Sequence, residues 1–297
     1  MLLALPADTA NVDKPMKQFA SNYERDENGW VLFPRDSNYR KELFSFWNRL
    51  GISLDAHPAK ANIYLVESCI DYVSEPGDTI MDIMAGTGSI MVAALKERAV
   101  VCIEIEEGYQ KLLEEAAADM TDYDPRAANL ITIIPGDCAL VLPIPVDHII
   151  FSPPYSDIMR KTAGSVAKDK FTLDTMGRAM RDAKSSEVLR ARLDDVAVGI
   201  VAYSKSPSNI SNLSEFMYHQ RMELIYEKCL QSIRPGGTLT IIIKDHIEQG
   251  KRVLLGERAK RDCIRAGFEL AAHFKWKAPG SVYLGIRRAR GEEVVED

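Results

Sequence analysis

Two short stretches of this chain carry residue types suited to chemistry. One is Ser152-Pro153-Pro154-Tyr155, set directly after the apolar run 147–151. Prolines fix φ and offer no N–H, so such a backbone is stiff and presents only carbonyl acceptors. With the serine hydroxyl it suits an exocyclic amine conjugated into an aromatic ring, a poor nucleophile. Accepting the two N–H bonds on the Ser152 hydroxyl and the Pro153 carbonyl draws the nitrogen toward tetrahedral geometry and frees its lone pair. Tyr155 can stack on the ring, a contact worth about 1–3 kcal/mol. Taken alone, the tetrapeptide also fits a stiff surface turn. Its place after a buried strand, at the carboxyl edge where open α/β sheets bind ligands, favours the chemical reading.

The other stretch is Asp82-Ile83-Met84-Ala85-Gly86-Thr87-Gly88-Ser89, between an apolar run and a helix-like segment. Glycines let a backbone turn tightly and approach a ligand with no Cβ in the way, and the following helix presents unpaired N–H groups. Glu104, at the end of the next strand, can accept both ribose hydroxyls of an adenosine. A dinucleotide fingerprint needs a third glycine where Met91 stands, and no P-loop is present. Gly86-Thr87-Gly88 alone would be a plain tight turn as readily as a cradle; Asp82 before it and Glu104 after it favour a nucleoside-like cofactor.

The elements that must position these residues alternate in the manner of a βα-repeating domain. Helices are expected near 39–49 and at 61–74, 89–98, 108–120, 215–233 and 252–266, the last ended by Gly267. Strands are expected at 79–84, 100–105, 130–134, 147–151 and 238–243, with a closing pair near 268–276 and 281–288, and Arg234-Pro235-Gly236-Gly237 reads as a turn. The first fifty residues are rich in aromatics (Trp30, Phe33, Tyr39, Phe44, Phe46, Trp47) and show no strand period. Regularity lapses over 156–214, where ten Lys and Arg face seven Asp and Glu.

Together these residues resemble the DNA amino-methyltransferases, the N4-cytosine and N6-adenine enzymes, over about 55–286. Asp82–Ser89 is similar to that family's cofactor loop, with Ile83-Met84 standing in place of its usual Pro-Phe. Ser152–Tyr155 is similar to its catalytic tetrapeptide, and serine at the first position leans toward cytosine N4. His57-Pro58-Ala59-Lys60 resembles the segment that closes over the methionine end of the cofactor. Tyr203–Leu213 resembles a Tyr-Ser-x-x-Pro-x-Asn-Ile-x-Asn-Leu stretch of phage-type and prokaryotic modification enzymes.

The resemblance implies a Rossmann-like seven-stranded α/β sheet of order 3-2-1-4-5-7-6, last strand antiparallel, with an insertion after the fourth strand. It implies S-adenosyl-L-methionine as cofactor, held by His57, Pro58, Lys60, Asp82, Met84, Ala85, Gly86, Thr87, Gly88, Glu104, Ile105, Asp137, Cys138 and Ser152. It implies catalysis by Ser152, Pro153, Pro154 and Tyr155 on a base flipped out of double-stranded DNA. The expected divisions are an N-terminal extension (1–54), a cofactor-binding and catalytic half (55–155), an insertion as candidate target-recognition segment (156–214) and a C-terminal half (215–290). A homodimer and a restriction partner are compatible with this reading, and neither follows from it.

Composition sets outer bounds. The five cysteines (Cys69, Cys102, Cys138, Cys229, Cys263) form no C-x-x-C pair, so no metal site is expected and buried thiols are. The start, MLLALPADTANVDK, lacks the basic and long apolar regions of a signal peptide, so a cytoplasmic location is the expectation. A formal charge of −6 runs against a nucleic-acid partner, unless a local basic face survives under the acidic total. His148 reads as a core histidine, and Trp276, between Lys275 and Lys277, as an edge-strand anchor or a nucleic-acid contact.

Overall fold

The structure, a computed structural model, describes residues 1–6, 17–50, 61–154, 209–248 and 251–277. The expected strand at 281–288 and most of 156–214 lie outside the described residues. Seven strands form the main sheet: β1 (Leu2–Pro6), β3 (Thr79–Asp82), β4 (Ala99–Glu104), β5 (Ile131–Pro135), β6 (Val146–Phe151), β7 (Ile233–Ile241) and β10 (Phe268–His273). Short pairs lie beside it: β2 (Val31–Leu32) with β11 (Trp276–Lys277), and β8 (His246–Glu248) with β9 (Lys251–Val253).

The sheet order is β10-β1-β7-β6-β3-β4-β5. Six strands run one way, and β1 runs against both of its neighbours, β7 and β10. This is the Rossmann-like order expected, with one antiparallel strand next to the outermost one. The strand that fills that place is Leu2–Pro6. A five-residue run with no polar alternation gives little period to read, and what identifies it as a strand is its pairing with β7 and β10.

β3, β4 and β6 are near-continuous apolar runs because both of their faces are covered. Ile80, Val100, Cys102 and Ile150 face one core with α3 (Ile63–Val73) and α4 (Glu107–Tyr123). Met81, Ile103, Ile149 and Phe151 face the other, with α6 (Glu215–Ser232) and α7 (Leu255–Arg265). Two short helices, α1 (Ser37–Leu43) and α2 (Phe46–Arg49), bring Phe44, Phe46 and Trp47 into the first core. Asp119 of α4 fastens them, accepting from Phe46 N at 2.7 Å and Ser45 Oγ at 2.7 Å. All five cysteines are free and buried. Among the described residues, no helix is long and apolar enough to cross a membrane.

Two local expectations change. Residues Ser89–Lys96 form a 3₁₀ helix rather than an α-helix. A 3₁₀ coil rises about 2.0 Å per residue against about 1.5 Å, so these eight residues span more length than an α-helix would. Arg234–Gly237 is not a turn but a bulge inside β7: Val146 pairs with Ile233 and His148 with Thr238, so the extra residues loop out. Gly237 passes so close to β6 that a Cβ there would stand 1.9 Å from the Asp147 carbonyl oxygen. Gly237→Ala is therefore expected to lower unfolding free energy by about 3 kcal/mol or more, measured by urea denaturation; a loss under about 0.5 kcal/mol would show that the bulge shifts freely.

Candidate active site

The carboxyl ends of β3, β4, β5 and β6 open on one cleft of about 1040 Å³, its mouth included. Its floor is the turn after β3. Asp82 Oδ1 accepts from Met84 N at 2.9 Å and Ala85 N donates to the Ile103 carbonyl at 3.0 Å, so the loop is tied to its own strand end and to β4. Gly86 and Gly88 both sit at positive φ, +53° and +78°. At Gly88 a side chain would be both strained and crowded, since a Cβ would lie 3.0 Å from Leu113 Cδ2.

Glu104 closes the turn from the side. Its Oε2 accepts from Gly86 N at 2.8 Å and its Oε1 from Glu106 N at 2.9 Å. Burial raises its pKa, and those backbone N–H groups pull it back. Each carboxylate oxygen offers two acceptor sites, so hydroxyls from a ligand can still be received. Burial lifts Asp82 as well, to about 7, with the Met84 N–H opposing the rise and the charge of Glu104 adding to it.

The far wall is built from β5 and α5 (Cys138–Val141). Asp137 caps α5 through Ala139 N at 2.9 Å and pairs with Arg221 of α6 at 2.6 Å. Opposite stands the corner after β6. The Phe151 carbonyl accepts from Ile242 N at 2.9 Å, Ser152, Pro153 and Pro154 line the cleft, and the Pro154 carbonyl accepts from Tyr218 Oη at 2.9 Å.

Of the residues singled out from sequence, Asp82, Met84, Ala85, Gly86, Thr87, Glu104, Ile105, Asp137, Cys138, Ser152, Pro153 and Pro154 share this cleft. Gly88 turns behind the wall, against Leu113 and Met91. His57, Pro58, Lys60 and Tyr155 lie outside the described residues. His148 is a buried core histidine, its Nδ1 3.0 Å from Thr238 Oγ1. Trp276 is buried beside Phe33, while Lys275 and Lys277 each stand 4.8 Å from the Trp30 ring.

Sequence reasoning missed Glu106, Asn209, Tyr218 and Arg221. Asn209 is buried in the cleft wall; its Nδ2 donates to Glu106 Oε1 and its Oδ1 accepts from Ser211 N at 2.9 Å. The Tyr203–Leu213 stretch contained that signal. Tyr218 and Arg221, three apart on one helix face, looked like ordinary amphipathic positions.

The donor set fits S-adenosylmethionine. Glu104 would take the ribose hydroxyls, the Gly86–Thr87 turn would approach with bare backbone, and Asp137 with Cys138 would border the adenine. Among the described residues no group of His, Cys, Asp or Glu could hold a metal ion.

The strand order gives this chain a Rossmann-like α/β fold, with a glycine turn and a Ser-Pro-Pro corner on one carboxyl edge. A family model described as DNA methylase, of the N6/N4 type, matches residues 6–115, a segment that contains the glycine turn and Glu104 and ends before Ser152. No curated protein matches the chain. Among solved structures, it is similar to P. horikoshii TYW2 in complex with MeSAdo (21% identity, 26% of this chain and 29% of that one, TM-score 0.22). It is similar also to TrmN from Thermus thermophilus (20% identity, 40% and 36%, TM-score 0.28). A third is the glycopeptide N-methyltransferase MtfA complexed with sinefungin (11% identity, 81% and 91%, TM-score 0.43). The match thus spans well under half the length of the first two.

The raised pKa of Asp82 has a stability consequence. Its carboxyl titrates near 3.8 when unfolded and near 7 in the fold, so between those values the native chain holds a proton that the unfolded chain has released. Stability from this group is full below about pH 4 and is lost as pH rises toward 7. Denaturant titrations of the cofactor-free chain are expected to show that fall, and Asp82→Asn to flatten it. Equal slopes for both chains would mean that Asp82 ionises as an exposed carboxyl does.

Proposed function

We propose that this chain is an S-adenosylmethionine-dependent methyltransferase acting on the exocyclic amino group of a DNA base, cytosine N4 before adenine N6. The observation that carries this reading is the shared cleft: the Asp82–Thr87 turn and Ser152–Pro154 face one space at the carboxyl edge. A methyl donor held on the first and an amine held on the second would meet there. The DNA methylase family match supports the choice of DNA.

When bound, the cofactor supplies a methyl group already activated by its sulfonium charge. The chain's own work is alignment. Glu104, Gly86, Asp137 and Cys138 would orient the adenosyl end, and His57, Pro58 and Lys60 the methionine end. Ser152 Oγ and the Pro153 carbonyl would accept the two amine N–H bonds, and Tyr155 would stack on the base. The amine sheds one proton to water after transfer. A base inside a duplex cannot enter such a cleft, so the target is read as flipped out. The segment 156–214, with its local positive surplus, is assigned to target recognition.

A second reading changes the substrate to RNA or to another amine, and the net charge of −6 favours the latter, since DNA and RNA are equally anionic. Both readings are tested by digesting DNA and RNA from cells expressing the chain to nucleosides and analysing them by mass spectrometry, beside a Ser152→Ala control. N4-methylcytosine in DNA is expected only with the intact chain, and Ser152→Ala should slow transfer on the order of 100-fold. N6-methyladenine would move the target atom, methylated RNA would move the substrate, and no modified base from folded protein would sink the proposal.

A further inference from the structure

We propose that Tyr218 is a positioning residue for methyl transfer, acting by pinning the Pro154 carbonyl so that Ser152 and Pro153 keep their acceptors aimed into the cleft. This rests on the reading of the cleft as an amino-methyltransferase site. Tyr218 is not among the residues that line the cleft, and it reaches the corner through a hydrogen bond from its Oη to the Pro154 oxygen at 2.9 Å.

The case is one of torsions. Pro153 and Pro154 have φ fixed by their rings and no N–H with which to anchor themselves. What remains free is rotation about the Cα–C bonds, which sets where each carbonyl points. At one end of the corner the Phe151 carbonyl is held by Ile242 N at 2.9 Å, through the sheet. At the other end the Pro154 carbonyl is held by Tyr218. The two acceptors needed for the amine, Ser152 Oγ and the Pro153 oxygen, lie between these anchors.

Tyr218 is well placed to serve as a fixed post. Its side chain is 9% exposed and packs in the core between α6 and the sheet. Ser214 caps the helix that carries it, and Arg221, one turn on, ties the same helix to Asp137 at 2.6 Å. Removing only the hydroxyl leaves the ring in its packing and releases the carbonyl.

The test is Tyr218→Phe, assayed with the full chain for methyl transfer to DNA and for S-adenosylmethionine binding by calorimetry. The expected result is a fall in kcat of about tenfold or more, in the range that a small misplacement of reacting groups costs. Cofactor Kd, KM for DNA and thermal midpoint should be nearly unchanged, and p-aminophenylalanine at 218, which can donate to the same carbonyl, should restore most of the rate. A kcat equal to that of the unsubstituted chain would overturn the role, as would a loss that moves Kd, KM and thermal midpoint together, which marks a structural prop. If the unsubstituted chain, folded and binding cofactor, transfers no methyl group, the reading of the site fails and this role falls with it.

Discussion

The site hangs on one buried residue, Glu104. Its two carboxylate oxygens hold the glycine turn through Gly86 N and the head of α4 through Glu106 N. Its main-chain carbonyl accepts from Gly136 N at 2.9 Å and from Gln110 Nε2 at 2.9 Å. The loops that follow β3, β4 and β5 are thus all tied to one residue at the carboxyl edge. A carboxylate taken out of water is costly unless its lone pairs are used, and here the backbone uses them. The same burial that raises the pKa of Glu104 makes the arrangement of the turn depend on it.

A second layer holds this centre in place from behind. Arg40, almost fully buried, donates to Ser89 Oγ at 2.8 Å, to the Ala61 carbonyl at 2.6 Å and to Asp36 at 2.9 Å. Burial lowers its pKa while Asp36 supports the charge, and a guanidinium stays protonated under such a load. Asp36 also receives Ile63 N at the head of α3. The aromatic N-terminal region therefore carries a cation that braces the residue right after the glycine turn. On the opposite side, Asn209 stands in the cleft wall and α6 is tied to it through Arg221 and Asp137.

Much of this was legible in the residues, because parallel strands buried on both faces write themselves as apolar runs. Thr79–Asp82, Ala99–Glu104 and Val146–Phe151 stand within a residue or two of their expected places. Asp82, Glu104 and Ser152 could be picked out because each ends such a run. Three things were not legible. The strand Leu2–Pro6 is defined by distant partners and by no local period. The bulge at Arg234–Gly237 uses turn residues inside a strand, since only glycine tolerates the approach of Asp147. Tyr218 and Arg221 act through side-chain tips that reach other elements, and no spacing along a helix announces where a tip will land.

The antiparallel strand has a consequence for how the molecule comes into being. Leu2–Ala4 pair with Leu239–Ile241 on one side, and Leu2–Pro6 with Phe268–His273 on the other, partners that lie about 240 to 270 residues further along the chain. During synthesis the apolar run Leu2-Leu3-Ala4-Leu5 leaves the ribosome long before either neighbour exists. A parallel sheet of β5, β4, β3, β6 and β7 can assemble from its own strands, but β10 joins it only once β1 lies between β7 and β10. The earliest of the described strands to be made is thus the keystone, set only after the strands on both sides of it exist.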